Sequence, residues 1–170
     1  KTGTLTTARI TVFFDENWCA PGFTRDQVLE WAALASNPHA ADDPIDVAIL
    51  RSFASTFGEG AAAARLQAYT VSKFVGFSPE TKRSVAYARR GGPGGELKAA
   101  KGLIDKVLET GADGGDEWTC AGAREPGGAL RAEVERVDAD FSRRGYKTLG
   151  VCVSRPDAGG ALGEMEFVGV

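Results

Sequence analysis

Phe77 stands among lysines and arginines in a way that suits a ligand with a flat ring and a polyanionic tail. Residues 71–106 contain eight basic side chains (Lys73, Lys82, Arg83, Arg89, Arg90, Lys98, Lys101 and Lys106) against three acidic ones, Glu80, Glu96 and Asp105. The whole 170-residue chain has a formal net charge of −3, so positive charge is concentrated in this stretch. An aromatic face stacks a base, and ammonium groups beside it neutralise phosphates, which makes a nucleotide the obvious candidate. A plain hairpin with solvated lysines and core phenylalanines has the same composition, and on composition alone it is the commoner arrangement.

Other chemistries have weaker support. The Gly91-Gly92-Pro93-Gly94-Gly95 run lacks the GxxxxGK[ST] spacing and opens no helix, so it reads as a hairpin turn and not a phosphate loop. Acidic residues between 111 and 128 lack metal-ligand spacing. His39 is the only histidine, and Cys19, Cys120 and Cys152 are widely spaced, so no zinc site is expected. Three cysteines, an odd number, fit reduced thiols in a cytosolic compartment and not a disulfide framework.

The elements that must position these residues are legible in part. Residues 69–74 alternate, with Tyr69, Val71 and Lys73 on one side and Thr70, Ser72 and Phe74 on the other, as in a half-buried strand. Ser78-Pro79 ends it. Strands at 84–89 and up to about 101 enclose the glycine-rich turn as a hairpin. Residues 8–14 (ARITVFF) also read as a strand. A helix starts at Thr24, with Gln27 completing a capping box and Phe23 and Val28 at staple positions. Asp43-Pro44 opens another helix, an N-cap acid followed by proline at the first helical position, with Ile45, Ala48, Ile49 and Phe53 available to the core. Residues 58–64 are a short helix or a bend, and residues 103–110 a short helix. Residues 111–128 read as a mobile loop outside the core. Leu130, Val134, Val137 and Phe141 recur at helical spacing over 129–144, and Gly145 ends that helix. Residues 147–154 form an apolar, central strand, and residues 164–170 a last one. Strands and helices do not alternate strictly. The expected class is α+β, a mostly antiparallel twisted sheet flanked by helices.

Length and composition set outer bounds. The chain is one domain of ordinary size, 43% apolar and 25% charged, which are globular values. Mild acidity gives no reason to expect nucleic-acid binding, and no apolar run approaches a membrane span. The chain opens on Lys1 without a methionine and reads as an excised piece.

Six blocks then point to one family. KTGTLT at 1–6 resembles the DKTGTLT signature of P-type ATPases, whose aspartate would stand immediately before Lys1. Asp43-Pro44-Ile45-Asp46 resembles the acidic motif of the family's nucleotide-domain helix. Phe74-Val75-Gly76-Phe77-Ser78-Pro79 with Lys82-Arg83 is similar to the F-x-P-F-x-P-x-x-K-R block of plasma-membrane proton pumps. Lys101-Gly102 resembles the start of K-G-A. The run from Arg144 to Leu149 (RGYKTL) is similar to R-G-L-R-S-L, and Met165-Glu166-Phe167-Val168-Gly169 to the W-E-F-x-G strand.

The resemblance implies the nucleotide-binding domain of such a pump, an antiparallel sheet flanked by helices and inserted into the phosphorylation domain. Residues 1–12 and 164–170 would be the two hinge strands, with residues 13–163 as the domain between them. Phe77 would stack on adenine, and Asp46 would accept a hydrogen bond from the adenine amino group. Lys82, five residues beyond Phe77, and Lys101, at the pocket floor, would neutralise nucleotide or phosphate. Asp43 would cap its helix, Phe74 would be core, and Arg83 structural. Two departures matter. Leu103 and Ile104 replace alanine and proline of K-G-A-P. Lys147 stands where the family has arginine, which keeps charge but loses the bidentate fork. ATP with Mg2+ would be the ligand, and the phosphorylation and actuator domains of the same parent chain the partners, with no nucleic acid and no direct membrane contact. The domain would lie on the cytosolic face of a plasma-membrane pump and, lacking the acceptor aspartate, would bind ATP without turnover. The alternatives are a P-type pump for another cation, or a scaffold domain that binds no nucleotide.

Overall fold

A strand clothed on both faces needs apolar residues at odd and even positions alike, and residues 83–90 have them. In the computed structural model, which describes residues 10–39, 43–91, 95–109, 111–113, 116–118, 120–121, 128–156 and 162–170, this strand lies inside a six-stranded sheet. The strands are β1 (Tyr69–Val75), β2 (Arg83–Arg90), β3 (Glu96–Gly102), β6 (Cys120–Ala121), β7 (Gly150–Ser154) and β8 (Met165–Gly169), and β4 (Gly111–Asp113) and β5 (Asp116–Trp118) form a separate hairpin. The order across the sheet is β1-β2-β3-β7-β8-β6. All neighbours are antiparallel except β6, which runs parallel to β8. The expected α+β class with a mostly antiparallel sheet is therefore what the chain forms.

Helices α1 (Arg25–Leu34), α2 (Pro44–Phe57) and α3 (Glu59–Gln67) supply one layer, α4 (Ile104–Val107) and α5 (Ala129–Arg143) the other. On the first face Leu29, Trp31, Ile49 and Phe53 pack with Ala86, Ala88, Leu97, Ala99, Val151 and Val153. On the second, Ile104, Val107 and Val134 pack with Val85, Ala100, Cys152 and Phe167. Alanines at four central positions of β2 and β3 let helices approach the sheet closely, at the cost of apolar area that the larger helix residues restore.

The local helix signals form as expected. Thr24 and Gln27 bond reciprocally as a capping box, and the Asp43 carboxylate accepts from the Ile45 and Asp46 amides at 2.9 and 3.2 Å. Residues 59–67 are a helix and not a bend, and Gly58 before them has φ +80°, a conformation that favours glycine. Gly145, just beyond α5, has φ +84°, as a helix-ending glycine should.

Several expectations are corrected. Of the strand expected at 8–14, residues 10–13 join no strand and Phe14–Glu16 is a 3-10 turn. Backbone pairing comes later: Trp18 and Val170 exchange hydrogen bonds, and Ala20 donates to Val168. The alternation along 69–74 breaks because the register of β1 on β2 slips between Val71 and Lys73. That bulge returns Phe74 to the face Tyr69 occupies, and both pack on the first cluster. Ile45 is exposed, since it stands in the solvent-facing part of the first turn of α2. Of the short helix expected at 103–110, the described residues 103–109 form the four-residue α4, and β7 starts at Gly150 and not at Lys147. Within 111–128 lie three short strands, and Cys120 of β6 is fully buried against β8, so that stretch is not simply an outside loop. The KTGTLT motif at 1–6, and with it most of the first expected hinge strand, lies outside the described residues, as do residues 92–94 of the glycine-rich turn.

Candidate functional site

Strand registers gather the sequence-predicted residues at one end of the sheet. Val75 pairs with Val85, Arg83 with Gly102, Gly102 with Gly150 and Val151 with Gly169. The end of β1, the start of β2, the end of β3, the start of β7 and the end of β8 therefore meet there. Glycine at this edge lets other backbone come close. A Cβ on Gly102 would fall 2.5 Å from the Lys82 carbonyl oxygen and 2.7 Å from Arg83 Cα, and one on Gly169 would collide with the Trp18 carbonyl oxygen.

The loop 76–82 carries Phe77 and Lys82. Its hydrogen bonds are local. Thr81 N donates to the Ser78 hydroxyl at 3.1 Å and Lys82 N to the Ser78 carbonyl at 2.8 Å, the turn that Ser-Pro predisposes. Lys82 has φ +50°, left-handed backbone that costs a non-glycine residue about 1–2 kcal/mol. Its carbonyl then accepts the Leu103 amide at 3.0 Å, which clips the loop onto β3 over the bare Gly102. Phe77, just before this turn, has 57% of its surface exposed, and Lys82 is exposed at the end of the same loop. The hydroxyl of Ser78 and then the local backbone hold the exposed Glu80 carboxyl below the usual range. Arg83 points to the other face, where Nη1 donates to the Lys106 carbonyl at 2.6 Å.

Below that loop, on the α1–α2 face, is a buried polar cluster. Lys101 Nζ donates to Asp46 Oδ1 at 2.5 Å, and both residues are only 5% exposed. Asp46 Oδ2 accepts the Asn37 amide at 2.9 Å. Lys101 Nζ also donates to Ser84 Oγ at 3.0 Å, and Ser84 Oγ donates to the Ala35 carbonyl at 2.8 Å. A buried charge pair survives only when its remaining hydrogen-bonding capacity is met, and here a backbone amide and a hydroxyl meet it. Asp46 and Lys101, 55 residues apart, are thus brought into contact. Neither Asn37 nor Ser84 stands out in the sequence. Ser84 faces Lys101 only through the β2–β3 register, and a single polar residue in a strand carries no signal of its own.

Leu103 and Ile104, the departures from K-G-A-P, separate. Ile104 turns into the second core cluster, whereas Leu103 stays 43% exposed next to the clipped loop. Lys147 is exposed on the segment between α5 and β7, at the same end of the sheet but beyond β3 from Phe77. Its neighbours are anchored. Arg144 pairs with Glu16, the Tyr146 ring lies 4.9 Å from that of Phe13, and Thr148 Oγ1 donates to Asp138. No hydrogen bond or ion pair joins Lys147 to another described residue or brings it to the Lys101 cluster.

Two concavities lie elsewhere. One of about 860 Å³ runs between residues 10–16 and α2, lined by Phe13, Arg51 and Ser55 among others, and one of about 560 Å³ lies beside the Arg155–Glu166 pair. None of the five sequence-predicted residues lines either. Among the described residues no group of three His, Cys, Asp or Glu is placed to hold a metal ion, and no helix is long and apolar enough to cross a membrane.

No protein-family model matches the chain, and no curated protein does. The functional reading therefore rests on these residues and their geometry.

Proposed function

We propose that the chain is the nucleotide-binding domain of a P-type ATPase of the proton-pumping kind, and that it holds Mg-ATP at the Gly102 end of its sheet. The observation that carries the reading is Phe77: a large aromatic, 57% exposed, one residue before the hydrogen-bonded Ser78–Lys82 turn, on the same loop as the exposed Lys82 and at the sheet end where Lys101 and Asp46 are buried. Exposing a phenylalanine forgoes roughly 1.5–3 kcal/mol of burial. Stacking a base on the ring recovers about 1–3 kcal/mol.

In this reading adenine lies on Phe77, with Asp46 and Lys101 at the polar floor. The exposed ammonium groups of Lys82 and Lys147 meet the phosphates as hydrated point charges. Mg2+ arrives with the phosphates, since magnesium keeps most of its ligands as water and phosphate oxygens. The domain contributes positioning and charge neutralisation, which is most of what phosphoryl transfer asks of a protein. The accepting aspartate stands before KTGTLT in the signature that residues 1–6 resemble. The proton subclass rests on the double-phenylalanine block with Asp43 and Asp46, and it puts the domain at the cytosolic face of a plasma-membrane pump.

The test is a two-dimensional NMR titration with Mg-ATP, adenosine and tripolyphosphate. Expected is weak binding, Kd about 0.1–1 mM or roughly −4 to −5.5 kcal/mol, with shifts centred on residues 76–84 and 101–103. Phe77→Ala should weaken ATP about fivefold or more. Shifts scattered over the fold, or unchanged affinity in that variant, would refute the reading.

A further inference from the structure

We infer that Ser84 is a positioning residue for nucleotide binding: it aims the Lys101 ammonium at the ligand side of the Asp46 pair. The inference rests on the ATP-binding reading and adds to it a residue that no motif marks. Proton bookkeeping fixes the direction of every bond. The Ala35 carbonyl can only accept, so the single Ser84 hydroxyl proton goes to it at 2.8 Å. An ammonium can only donate, so at 3.0 Å Lys101 gives one N–H to the Ser84 oxygen. A second N–H goes to Asp46 Oδ1 at 2.5 Å. The third has no partner among the described residues.

Two contacts then define the ammonium, and each is held by a further partner. Ser84 is 2% exposed and stands directly opposite Lys101 in the β2–β3 register, so its oxygen cannot wander. Ala35, the residue that ends α1, is fully buried, and its carbonyl is one that the helix leaves without an internal partner. Asp46 is held in turn by the Asn37 amide at 2.9 Å. A lysine chain has four rotatable bonds, and the Asp46 contact alone would allow the Nζ to pivot about it. The Ser84 bond removes that freedom and leaves the third N–H pointing one way, so less ordering remains to be done when a ligand acceptor arrives.

Three proteins test this: wild type, Ser84→Ala and Ser84→Thr, each titrated with Mg-ATP and with adenosine at fixed salt well below its melting temperature. The lysine ammonium 1H–15N spectrum is recorded alongside. The expectation is a protected Lys101 ammonium signal in wild type, lost to fast exchange in Ser84→Ala. ATP should weaken three- to tenfold in Ser84→Ala and return to within twofold of wild type in Ser84→Thr, which keeps the hydroxyl. A Ser84→Ala protein that melts earlier yet binds ATP as wild type does and keeps its Lys101 signal overturns the inference, because Ser84 would then serve only the end of α1. Should Ser84→Thr fail to fold around its extra methyl, the affinity and ammonium signal of Ser84→Ala decide alone. Failure of the wild type to bind ATP overturns the reading of the site itself. That outcome is distinct, because it leaves all three proteins equally inert.

Discussion

Breaking the Lys101–Asp46 pair should destabilise the domain far more than replacing it. Both residues are 5% exposed, and their contact is 2.5 Å. In Lys101→Met the Asp46 carboxylate keeps only the Asn37 amide, and Ser84 loses its donor. Removing one partner of a buried pair costs about 3–5 kcal/mol, because the other charge stays desolvated and uncompensated. Lys101→Met and Asp46→Asn alone should each fall near that range. The double variant puts neutral groups of similar volume in place of both, and the side-chain carbonyl that Asp46→Asn introduces can still accept from the Asn37 amide. It should lie within about 1–2 kcal/mol of wild type. The coupling between the two sites should therefore be at least about 4 kcal/mol, well above what independent sites show. Urea unfolding followed by tryptophan fluorescence measures all four corners. For a chain of this size each kcal/mol moves the melting temperature by roughly 2–4 °C, so the single variants should melt some 6–20 °C early. Lys101→Met costing less than about 1 kcal/mol, or single effects that simply add in the double, would refute the buried pair. The double variant also separates fold from function, since it should be folded and yet bind ATP more weakly than wild type.

Other outcomes follow from the same structure. Gly102→Ala should cost about 1–3 kcal/mol and displace the 76–82 loop, because its Cβ would sit 2.5 Å from the Lys82 carbonyl; an NMR spectrum unchanged over residues 76–84 would contradict this. Burial first, then the Glu30 carboxylate hydrogen-bonded at 2.9 Å, pushes the Tyr69 phenol up to about 12. Its folded value lies above the unfolded 10.0, so its stabilisation is complete below pH 10 and is lost as pH rises through 12. Tyr69→Phe should flatten that part of the stability profile, and an identical decline in both proteins would exclude Tyr69 as its source. Cys120 and Cys152 are fully buried with Sγ atoms 4.0 Å apart, and burial, then Cys120, pushes the Cys152 thiol up. A thiol reagent should therefore modify only the partly exposed Cys19 quickly in the native protein and all three in denaturant; three fast thiols in the native state would be the contrary result.

Signals that act within a few residues were legible in the chain. The Thr24–Gln27 capping box, the Asp43-Pro44 helix start, the glycine after α5 and the apolar stripe of α5 all form where the residues say, because each depends on hydrogen bonds or packing within one or two turns. The β2–β3 hairpin was legible for the same reason, as a short turn between two apolar runs. Phe77, Lys82 and Lys101 stood out by type and spacing, without any knowledge of what lay across from them.

What the sequence left open was decided by pairing between distant residues. Residues 10–13 have strand composition, but it is residues 18–20 that pair with the end of the chain at 168–170. The bulge near Ser72 reverses the facing of Phe74, because a single extra residue shifts a period of two. Cys120 enters the core only because β6 finds β8 in parallel register, with Met165 as its Cα partner. The polar cluster is the clearest case. Asp46 meets Lys101, and Ser84 meets both Lys101 and the end of α1, through one strand register and one helix packing. Neither exists until the sheet closes: the physical preference of a buried charge for a partner is local, but the identity of that partner is set by the fold.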